Sequence, residues 1–224
     1  MADAKQVTKK AKGISIRFLI VAGMFLFSIA IFWIIADEIV LEKENGLDVF
    51  VFSHLHTLVT PAFTNAMLFI TFFGSSYFLL PAYLLLILYY LVFRKNYKLS
   101  LDVAAIGITS TIILFSLKSI FHRSRPLDPL VRTVNGFSFP SGHSFSSFTF
   151  FGLIIFLLWQ HKMNNTVRWA LSVFFLLFAC AIAFSRVYLH VHFASDVIAG
   201  FFLCVVWLGL SLWILKKFDR KQSF

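Results

Sequence analysis

Long apolar stretches recur along the whole chain, and they restrict its fold more than any other feature. A helix needs roughly 20 mostly apolar residues to cross the hydrocarbon core of a bilayer. Six stretches meet or approach this length, at about residues 14–36, 77–93, 99–121, 144–159, 167–184 and 193–215. Because 59% of the 224 residues are hydrophobic and only 13% are charged, a soluble surface is excluded. The sequence therefore predicts an all-α integral membrane protein built as a six-helix transmembrane bundle.

A shorter segment of mixed polarity, residues 47–60, follows the first span and ends before Pro61. This pattern predicts a short helix lying in the membrane interface. An apolar stretch interrupted by Gly74 and two serines then leads into the second span. The sequence contains no visible repeat or second domain. We therefore expect residues 1–224 to form a single integral membrane domain that starts with a basic cytoplasmic tail at residues 1–13.

Positive charge lies mainly at the ends of the apolar stretches. The formal net charge is +10, which in a soluble protein would suggest a nucleic-acid partner. Here the positions of the cations indicate membrane topology instead, and we expect no nucleic-acid partner. Most Lys and Arg residues fall in four segments, residues 5–17, 94–98, 162–168 and 216–221. Because cytoplasmic segments are rich in Lys and Arg, both termini are expected in the cytoplasm.

Three polar blocks interrupt the hydrophobic pattern. They read KSIFHRSRP at residues 118–126, FPSGHS at residues 139–144 and SRVYLHVHFASD at residues 185–196. The first block ends the third span, the second begins the fourth, and the last joins the fifth to the sixth. Since each crossing changes the side of the membrane, all three blocks are expected at one outer face. Ionisable groups near membrane depth are costly and tend to be functional, so we expect an active site there.

The first two blocks contain groups that can bind an anion. Lys118 and Arg125 are seven residues apart, which places both on one face of a helix that Pro126 would end. Ser141 is a good helix N-cap, and Gly142 permits close approach of a ligand to the backbone. The free N–H groups at the start of the fourth span favour an anion. These residues therefore predict a phosphate-binding surface.

The third block adds a candidate nucleophile. His192 and Asp196 are four residues apart, so the carboxylate can hold one imidazole nitrogen and leave the other free to attack. Arg186 contributes a third strong cation, and His143 at the start of the fourth span is a second imidazole. Two arginines, a lysine and a helix N-terminus around two histidines indicate a phosphate site.

The three blocks, in this order and spacing, resemble the three-part signature of the type 2 phosphatidic acid phosphatase superfamily. The resemblance covers about residues 60–215, with the signature at residues 118–196. It implies a lipid phosphate phosphatase of a bacterial plasma membrane with its active site outside the cytoplasm. Implied substrates are phosphatidylglycerophosphate, undecaprenyl pyrophosphate and phosphatidic acid. Some members acting on undecaprenyl pyrophosphate carry Asp where this chain has Gly142, which makes that subgroup less favoured.

The expected mechanism passes through a covalent phosphohistidine. His192 is the expected nucleophile, oriented by Asp196; His190 is the rival, but the family spacing from Arg186 selects His192. His143 is expected to protonate the leaving group and later to accept a proton from the attacking water. The remaining groups are expected to neutralise the transferring phosphoryl group: Lys118, Arg125 and Arg186, with Ser141 and the N–H of Gly142.

Metal-dependent hydrolysis is the competing chemistry. Magnesium requires several oxygen ligands, whereas the polar blocks at the outer face offer only Asp128 and Asp196. A zinc site built from His122, His143, His190 and His192 would face repulsion from the surrounding cations. We therefore expect no metal and no other cofactor, and we expect His122 and Arg123 to contact substrate or headgroup.

A different class of function also fits a cationic pocket. An anion or lipid transporter, or a flippase, could bind phosphate without cleaving it. Binding alone, however, requires neither a His and Asp pair one turn apart nor a second histidine. A phosphorylated membrane lipid is thus the expected partner, with no obligatory protein partner evident.

Overall fold

The structure is a computed structural model that describes residues 16–41, 46–131 and 135–222, and all regular structure in these ranges is helical. Its α-helices, in chain order, are α1 (Ile16–Ile35), α2 (Gly46–Leu55), α3 (Pro61–Phe72), α4 (Ser76–Leu88), α5 (Tyr97–Phe121), α6 (Gly142–Gln160), α7 (Asn165–Tyr188) and α8 (Ala194–Gln222). Shorter helical turns continue three of them, at Ala36–Leu41, His56–Leu58 and Tyr89–Phe93. The expected basic tail at residues 1–13 lies outside the described residues.

Six segments of the described chain are long and apolar enough to cross a membrane: Phe18–Glu38, Pro61–Phe93, Tyr97–Phe121, Gly142–Gln160, Asn165–Tyr188 and Ala194–Lys216. The predicted all-α, six-span bundle is confirmed. One predicted boundary is wrong, because the second span begins at Pro61 rather than Tyr77. It consists of α3 and α4, which the break at Gly74 separates.

The helix ends nearest the polar blocks have identifiable stop and start signals. α5 ends at Phe121, so the prediction that this helix extends to Pro126 with Lys118 and Arg125 on one face is wrong. The backbone of His122 has a φ of 49°, which turns the chain out of the helix, and its N–H donates to the Lys118 carbonyl at 3.2 Å. α6 begins after Ser141, whose Oγ accepts a hydrogen bond from Ser144 N at 3.5 Å. His190, with a φ of 53°, lies in the short turn that joins α7 to α8. These ends bring the two connections to the same end of the bundle.

The core of the bundle forms around α6, which packs against α7 and α8. Phe145, Phe151 and Leu153 of α6 are buried, together with Ile182 of α7 and Leu208 of α8. Many apolar side chains of α1, by contrast, are exposed, as expected for a helix that faces lipid. The buried face of α6 therefore anchors the helix whose first turn carries Gly142 and His143.

Two glycines allow close helix contacts next to this first turn. A Cβ at Gly200 of α8 would lie 3.1 Å from the Ser141 carbonyl oxygen and 3.3 Å from Phe145 N. A Cβ at Gly74 would lie 2.4 Å from Ile182 Cγ2 and 3.2 Å from His143 Cδ2. Both glycines thus let neighbouring backbone approach the start of α6 more closely than any side chain would permit.

We predict that Gly200→Ala destabilises the protein by about 1–3 kcal/mol, because the new methyl group meets backbone atoms that cannot rotate away. Gly209→Ala is the matched control on the same helix, since a Cβ there meets nothing within 4 Å. Thermal unfolding of the two variants in detergent measures the difference. Equal midpoints for both would contradict the close packing of α8 against α6.

Candidate active site

The loop between α5 and α6 is held against the rest of the site by hydrogen bonds. Ser138 N donates to the Arg123 carbonyl at 2.8 Å, and Ser141 N donates to the Asp196 carbonyl at 3.0 Å. Lys118 Nζ donates to the Phe137 carbonyl at 2.6 Å. These contacts join residues from all three polar blocks, which were expected to share one face. The structure thus brings the blocks together in space.

His192 lies buried in the turn before α8, with its two nitrogens facing different partners. Nδ1 is 3.3 Å from Asp196 Oδ2, and Nε2 is 3.2 Å from Arg125 Nη1. Because a guanidinium can only donate, Nε2 accepts this bond and is the unprotonated nitrogen. Nδ1 then carries the proton and donates it toward Asp196. The arrangement presents a neutral imidazole with its Nε2 lone pair directed at a cation.

The pKa of His192 is lowered to about 4. Burial is the largest cause, since a charged imidazole would lose its hydration. The nearby guanidiniums of Arg186 and Arg125 lower the pKa further, whereas the carboxylate of Asp196 raises it. The pKa of Arg125 is also lowered, chiefly by burial. At neutral pH His192 is therefore neutral and able to act as a nucleophile or base.

Asp196 is completely buried, and both of its carboxylate oxygens have partners. Oδ2 accepts from Ser138 Oγ and, at 3.0 Å, from Phe193 N. Oδ1 accepts from Arg123 Nη1 at 2.6 Å. Together these hydrogen bonds and the charge of Arg123 offset the cost of burying an ionised carboxylate. The carboxylate is thereby held in one orientation beside His192.

Further cations and an imidazole lie close to this pair. Arg186 is 5% exposed; its Nη1 donates to Thr71 Oγ1 at 2.7 Å, while its Nε, also buried, has no partner in the part of the chain that the structure describes. The imidazole of His143 is within electrostatic range of four other groups, Arg186, His192, Arg125 and Lys118. The structure therefore gathers the charged and imidazole groups that the sequence predicted.

Ser141 and Gly142 occupy the start of α6 as expected. Ser141 is buried, and its Oγ accepts hydrogen bonds from the Oγ and N of Ser144. A Cβ at Gly142 would lie 3.3 Å from Leu114 Cδ2 and 3.9 Å from Lys118 Cε. The absence of a side chain at Gly142 thus leaves the first turn of α6 close to the lysine.

Four residues of the site were not predicted as members of it. Arg123 was expected to face substrate or headgroup, and this is wrong: its side chain is 8% exposed and forms ion pairs with Asp48 and Asp196. Asp48, Ser138 and Ser195 complete the same hydrogen-bonded network. The RxR spacing before Pro126 was the one signal for Arg123. Asp48 lies on α2, far from the polar blocks in sequence.

The other two histidines of the polar blocks have different surroundings. His122 is exposed, and its ring packs against Phe137 with centroids 4.4 Å apart. His190 is buried against Phe52 and His56, at 4.8 and 5.5 Å between ring centroids. Among the described residues no group of three or more His, Cys, Asp or Glu side chains could hold a metal ion.

Comparisons with known proteins agree with this geometry. Residues 98–220 match the family model described as the PAP2 superfamily. Phosphatidylglycerophosphatase B of Bacillus subtilis is 32% identical over 209 residues, which cover 89% of this chain and 94% of that protein. An undecaprenyl-diphosphatase of Sulfolobus acidocaldarius is 26% identical over 168 residues, or 72% of this chain and 75% of that one.

A solved structure shows the same architecture. The crystal structure of a transmembrane PAP2-type phosphatidylglycerolphosphate phosphatase from Bacillus subtilis aligns with a TM-score of 0.75 at 30% sequence identity. The alignment covers 90% of this chain and 96% of the other. The similarity thus extends over the whole bundle and is not confined to the polar blocks.

We predict that His192 titrates with a midpoint near 4, well below the ordinary imidazole value. Asp196→Asn should lower this midpoint further, because it removes the carboxylate that favours the imidazolium. NMR of protein labelled with ¹⁵N-histidine in detergent, assigned with His192→Gln, measures both the midpoint and the tautomer. A midpoint close to 6.5, or a proton on Nε2 in the neutral form, would contradict the described geometry.

Proposed function

This chain belongs to the PAP2 superfamily and is a membrane lipid phosphatase, and we propose that it forms a phosphohistidine intermediate without a metal. The alternative of a transporter or flippase is not supported, since the relatives are named as phosphatases. One observation carries the proposed mechanism: Nε2 of a neutral, buried His192 lies beside cationic side chains, and its lone pair accepts a hydrogen bond from Arg125.

The cations are suited to a phosphoryl group. The buried Nε of Arg186 has no acceptor among the described residues, and a buried N–H group without a partner is rare in proteins. A phosphate oxygen would supply that acceptor. The Lys118 ammonium donates to the carbonyls of Phe137 and Ser138. Because an ammonium has three N–H donors, one of them is left for a phosphate oxygen. Lys118, Arg125 and Arg186, with Ser141 and the N–H of Gly142, are therefore assigned to phosphate binding.

In the first step, Nε2 of His192 attacks phosphorus and the bond to the leaving oxygen breaks. His143, in the protonated form that the bound phosphate anion favours, donates a proton to that oxygen and becomes neutral, so the dephosphorylated product leaves neutral at this position. Nδ1 keeps its proton and donates to Asp196, whose negative charge stabilises the cationic phosphohistidine. Arg125, released from Nε2 by the new bond, can turn its N–H groups to the phosphoryl oxygens.

In the second step, water attacks the phosphohistidine. His143, now neutral, accepts the proton of this water while the bond between nitrogen and phosphorus breaks. Inorganic phosphate leaves, and His192 returns to its neutral tautomer. The cations contribute in both steps, because their positive charge lies beside the phosphoryl group throughout.

Metal independence is proposed from the donors in the site. The titratable groups around His192 are Asp196, the imidazole of His143 and cationic side chains. The two oxygens of Asp196 already accept from Arg123, Ser138 and Phe193 N. Magnesium and calcium require several oxygen ligands, and zinc bound by histidines would be repelled by the neighbouring cations. The charge that a metal would supply to the phosphoryl group comes here from arginine and lysine.

We assign phosphatidylglycerophosphate as the preferred substrate class, ahead of undecaprenyl pyrophosphate and phosphatidic acid. The Bacillus subtilis relative, which aligns over 89% of this chain, is named for phosphatidylglycerophosphate. Gly142 also stands where some undecaprenyl pyrophosphate phosphatases have Asp. A site at the end of a lipid-facing bundle lets the acyl chains stay in the bilayer while the headgroup reaches His192.

We predict phosphate release from a short-chain phosphatidylglycerophosphate that continues in EDTA and exceeds release from the other two lipids in kcat/KM. His192→Ala should lower this rate by at least ~10³-fold, because the nucleophile is lost. His190→Ala is the matched control and should retain most of the activity. Rapid denaturing quench with radiolabelled substrate should trap an acid-labile phosphoenzyme in the wild type and in His190→Ala.

Each part of the proposal has its own contrary result. Activity lost in EDTA and restored by magnesium would contradict metal independence. An active His192→Ala variant, or a phosphoenzyme that survives acid, would contradict the phosphohistidine. A higher kcat/KM with undecaprenyl pyrophosphate or phosphatidic acid would contradict the substrate assignment.

The orientation is proposed from the distribution of charge, with both termini in the cytoplasm and the active site outside. We predict that an impermeant maleimide labels Asn135→Cys in intact cells but labels Lys162→Cys only after lysis. Both positions are exposed, and they lie at opposite ends of α6. The background carries Cys180→Ala and Cys204→Ala, which removes the native thiols. The reverse labelling pattern would place the site in the cytoplasm.

A further inference from the structure

A second carboxylate lies buried behind the active site. Asp48 of α2 is 1% exposed, although it comes from a helix outside the six spans. Its Oδ1 accepts from Ser195 N at 3.0 Å, and its Oδ2 accepts from Ser195 Oγ at 2.8 Å. Oδ2 also accepts from Arg123 Nη2 at 2.8 Å. Asp48 thus has a full set of partners, all of them next to Asp196.

Arg123 connects this carboxylate to the one in the active site. Its Nη2 donates to Asp48, and its Nη1 donates to Asp196 Oδ1 at 2.6 Å and to Ser195 Oγ at 2.8 Å. The guanidinium also lies over the ring of Phe193, 4.1 Å from its centroid. These contacts leave the planar group one orientation, in which each of its two ends serves one carboxylate.

The orientation of Asp196 depends on this connection. Its two oxygens have different tasks: Oδ1 is occupied by Arg123, and Oδ2 faces Nδ1 of His192. If Arg123 moved away, Oδ1 would be left buried and unsatisfied, and the carboxylate could rotate. A rotated carboxylate would no longer hold the tautomer that exposes the Nε2 lone pair.

We infer that Asp48 is a positioning residue for the hydrolytic reaction, acting through Arg123 and Asp196 on His192. The inference rests on the proposed function of His192 and extends it to a helix that carries none of the signature motifs. Asp48 touches no reacting atom. Its effect is to hold the guanidinium whose other end fixes the catalytic carboxylate.

Stability alone does not explain this buried ion pair. Replacing buried ion pairs by well-packed apolar groups is often neutral or stabilising, whereas removing one partner is destabilising. α2 already has an apolar anchor, since Leu55 packs in a buried cluster with Val187 and Ala194. Val49 and Phe50, each 62% exposed, leave the opposite side of α2 uncovered. A helix with such contacts does not need a buried charge to stay attached.

The test is a mutant cycle between the positioning residues and the carboxylate on which they act. Asp48→Asn keeps the size of the side chain but removes its negative charge. Arg123→Lys keeps the positive charge but replaces the guanidinium, which donates from two nitrogens, by a single ammonium. Each should lower kcat at least about tenfold with little change in KM, because a positioning loss appears in the chemical step. In an Asp196→Asn background, either change should lower kcat by no more than about twofold.

Arg168→Gln is the matched control for destabilisation. Arg168 lies at the opposite end of the bundle, where it donates to the His161 carbonyl at 2.9 Å and stacks over Trp159. This variant should lower the thermal midpoint without lowering kcat. If Asp48→Asn does not fold, Asp48→Glu, which keeps the charge but moves the carboxylate, takes its place in the same cycle.

Two results would overturn the inference. One is a loss of kcat that is equally large in the Asp196→Asn background, which would mean that Asp48 does not act through Asp196. The other is a loss of kcat in Arg168→Gln as large as that in Asp48→Asn at the same fall in thermal midpoint. Destabilisation alone would then explain the effect of Asp48→Asn. An inactive wild type or an active His192→Ala variant would instead contradict the proposed function, so the two failures are distinguishable.

Discussion

Burying the carboxylate of Asp196 among membrane helices is the constraint on which the rest of the site depends. An ionised carboxylate loses several kcal/mol of hydration in such a place and is stable only with cations and hydrogen-bond donors around it. Arg123, Ser138 and the N–H of Phe193 meet this requirement. His192 Nδ1 lies 3.3 Å from both Asp196 Oδ2 and Ser138 Oγ, and Ser138 Oγ itself donates to Asp196. The carboxylate and the hydroxyl together hold the imidazole, and the position of Nε2 follows.

The bundle provides the close contacts that this network requires. Gly200 lets α8 touch the first turn of α6, and the break at Gly74 brings α3 beside Arg186, where Thr71 accepts its hydrogen bond. The break in the second span therefore has a structural role, since it lies where α3 packs closely against α7 and the start of α6. Lys118, Arg125 and Arg186 would repel one another in isolation, but each donates to an acceptor of the protein, so the group of cations is formed before a phosphate binds.

Much of this architecture follows from the sequence because its signals are local. Apolar length predicts the spans, and the number of crossings places the polar blocks on one side. The spacing of four residues that pairs His192 with Asp196 is a helical period. The start of the second span was mispredicted because Gly74 and the two serines after it indicate a loop between separate elements. In the structure they form a short break inside one span, with α3 on one side and α4 on the other. Arg123 was misassigned because a cation at a helix end usually faces water or headgroups.

The sequence by itself determined the membrane class, the number of spans and the residue types of the site, since hydrophobic length and short spacings are set by neighbours along the chain. Only the tertiary structure decided which groups pair. Asp48 and Arg123 are 75 positions apart, and Thr71 and Arg186 are 115 apart. No periodicity links such residues, because their contact depends on how α2 and α3 pack against α7 and α8. The assignment of Arg123 to a buried carboxylate is therefore a property of helix packing.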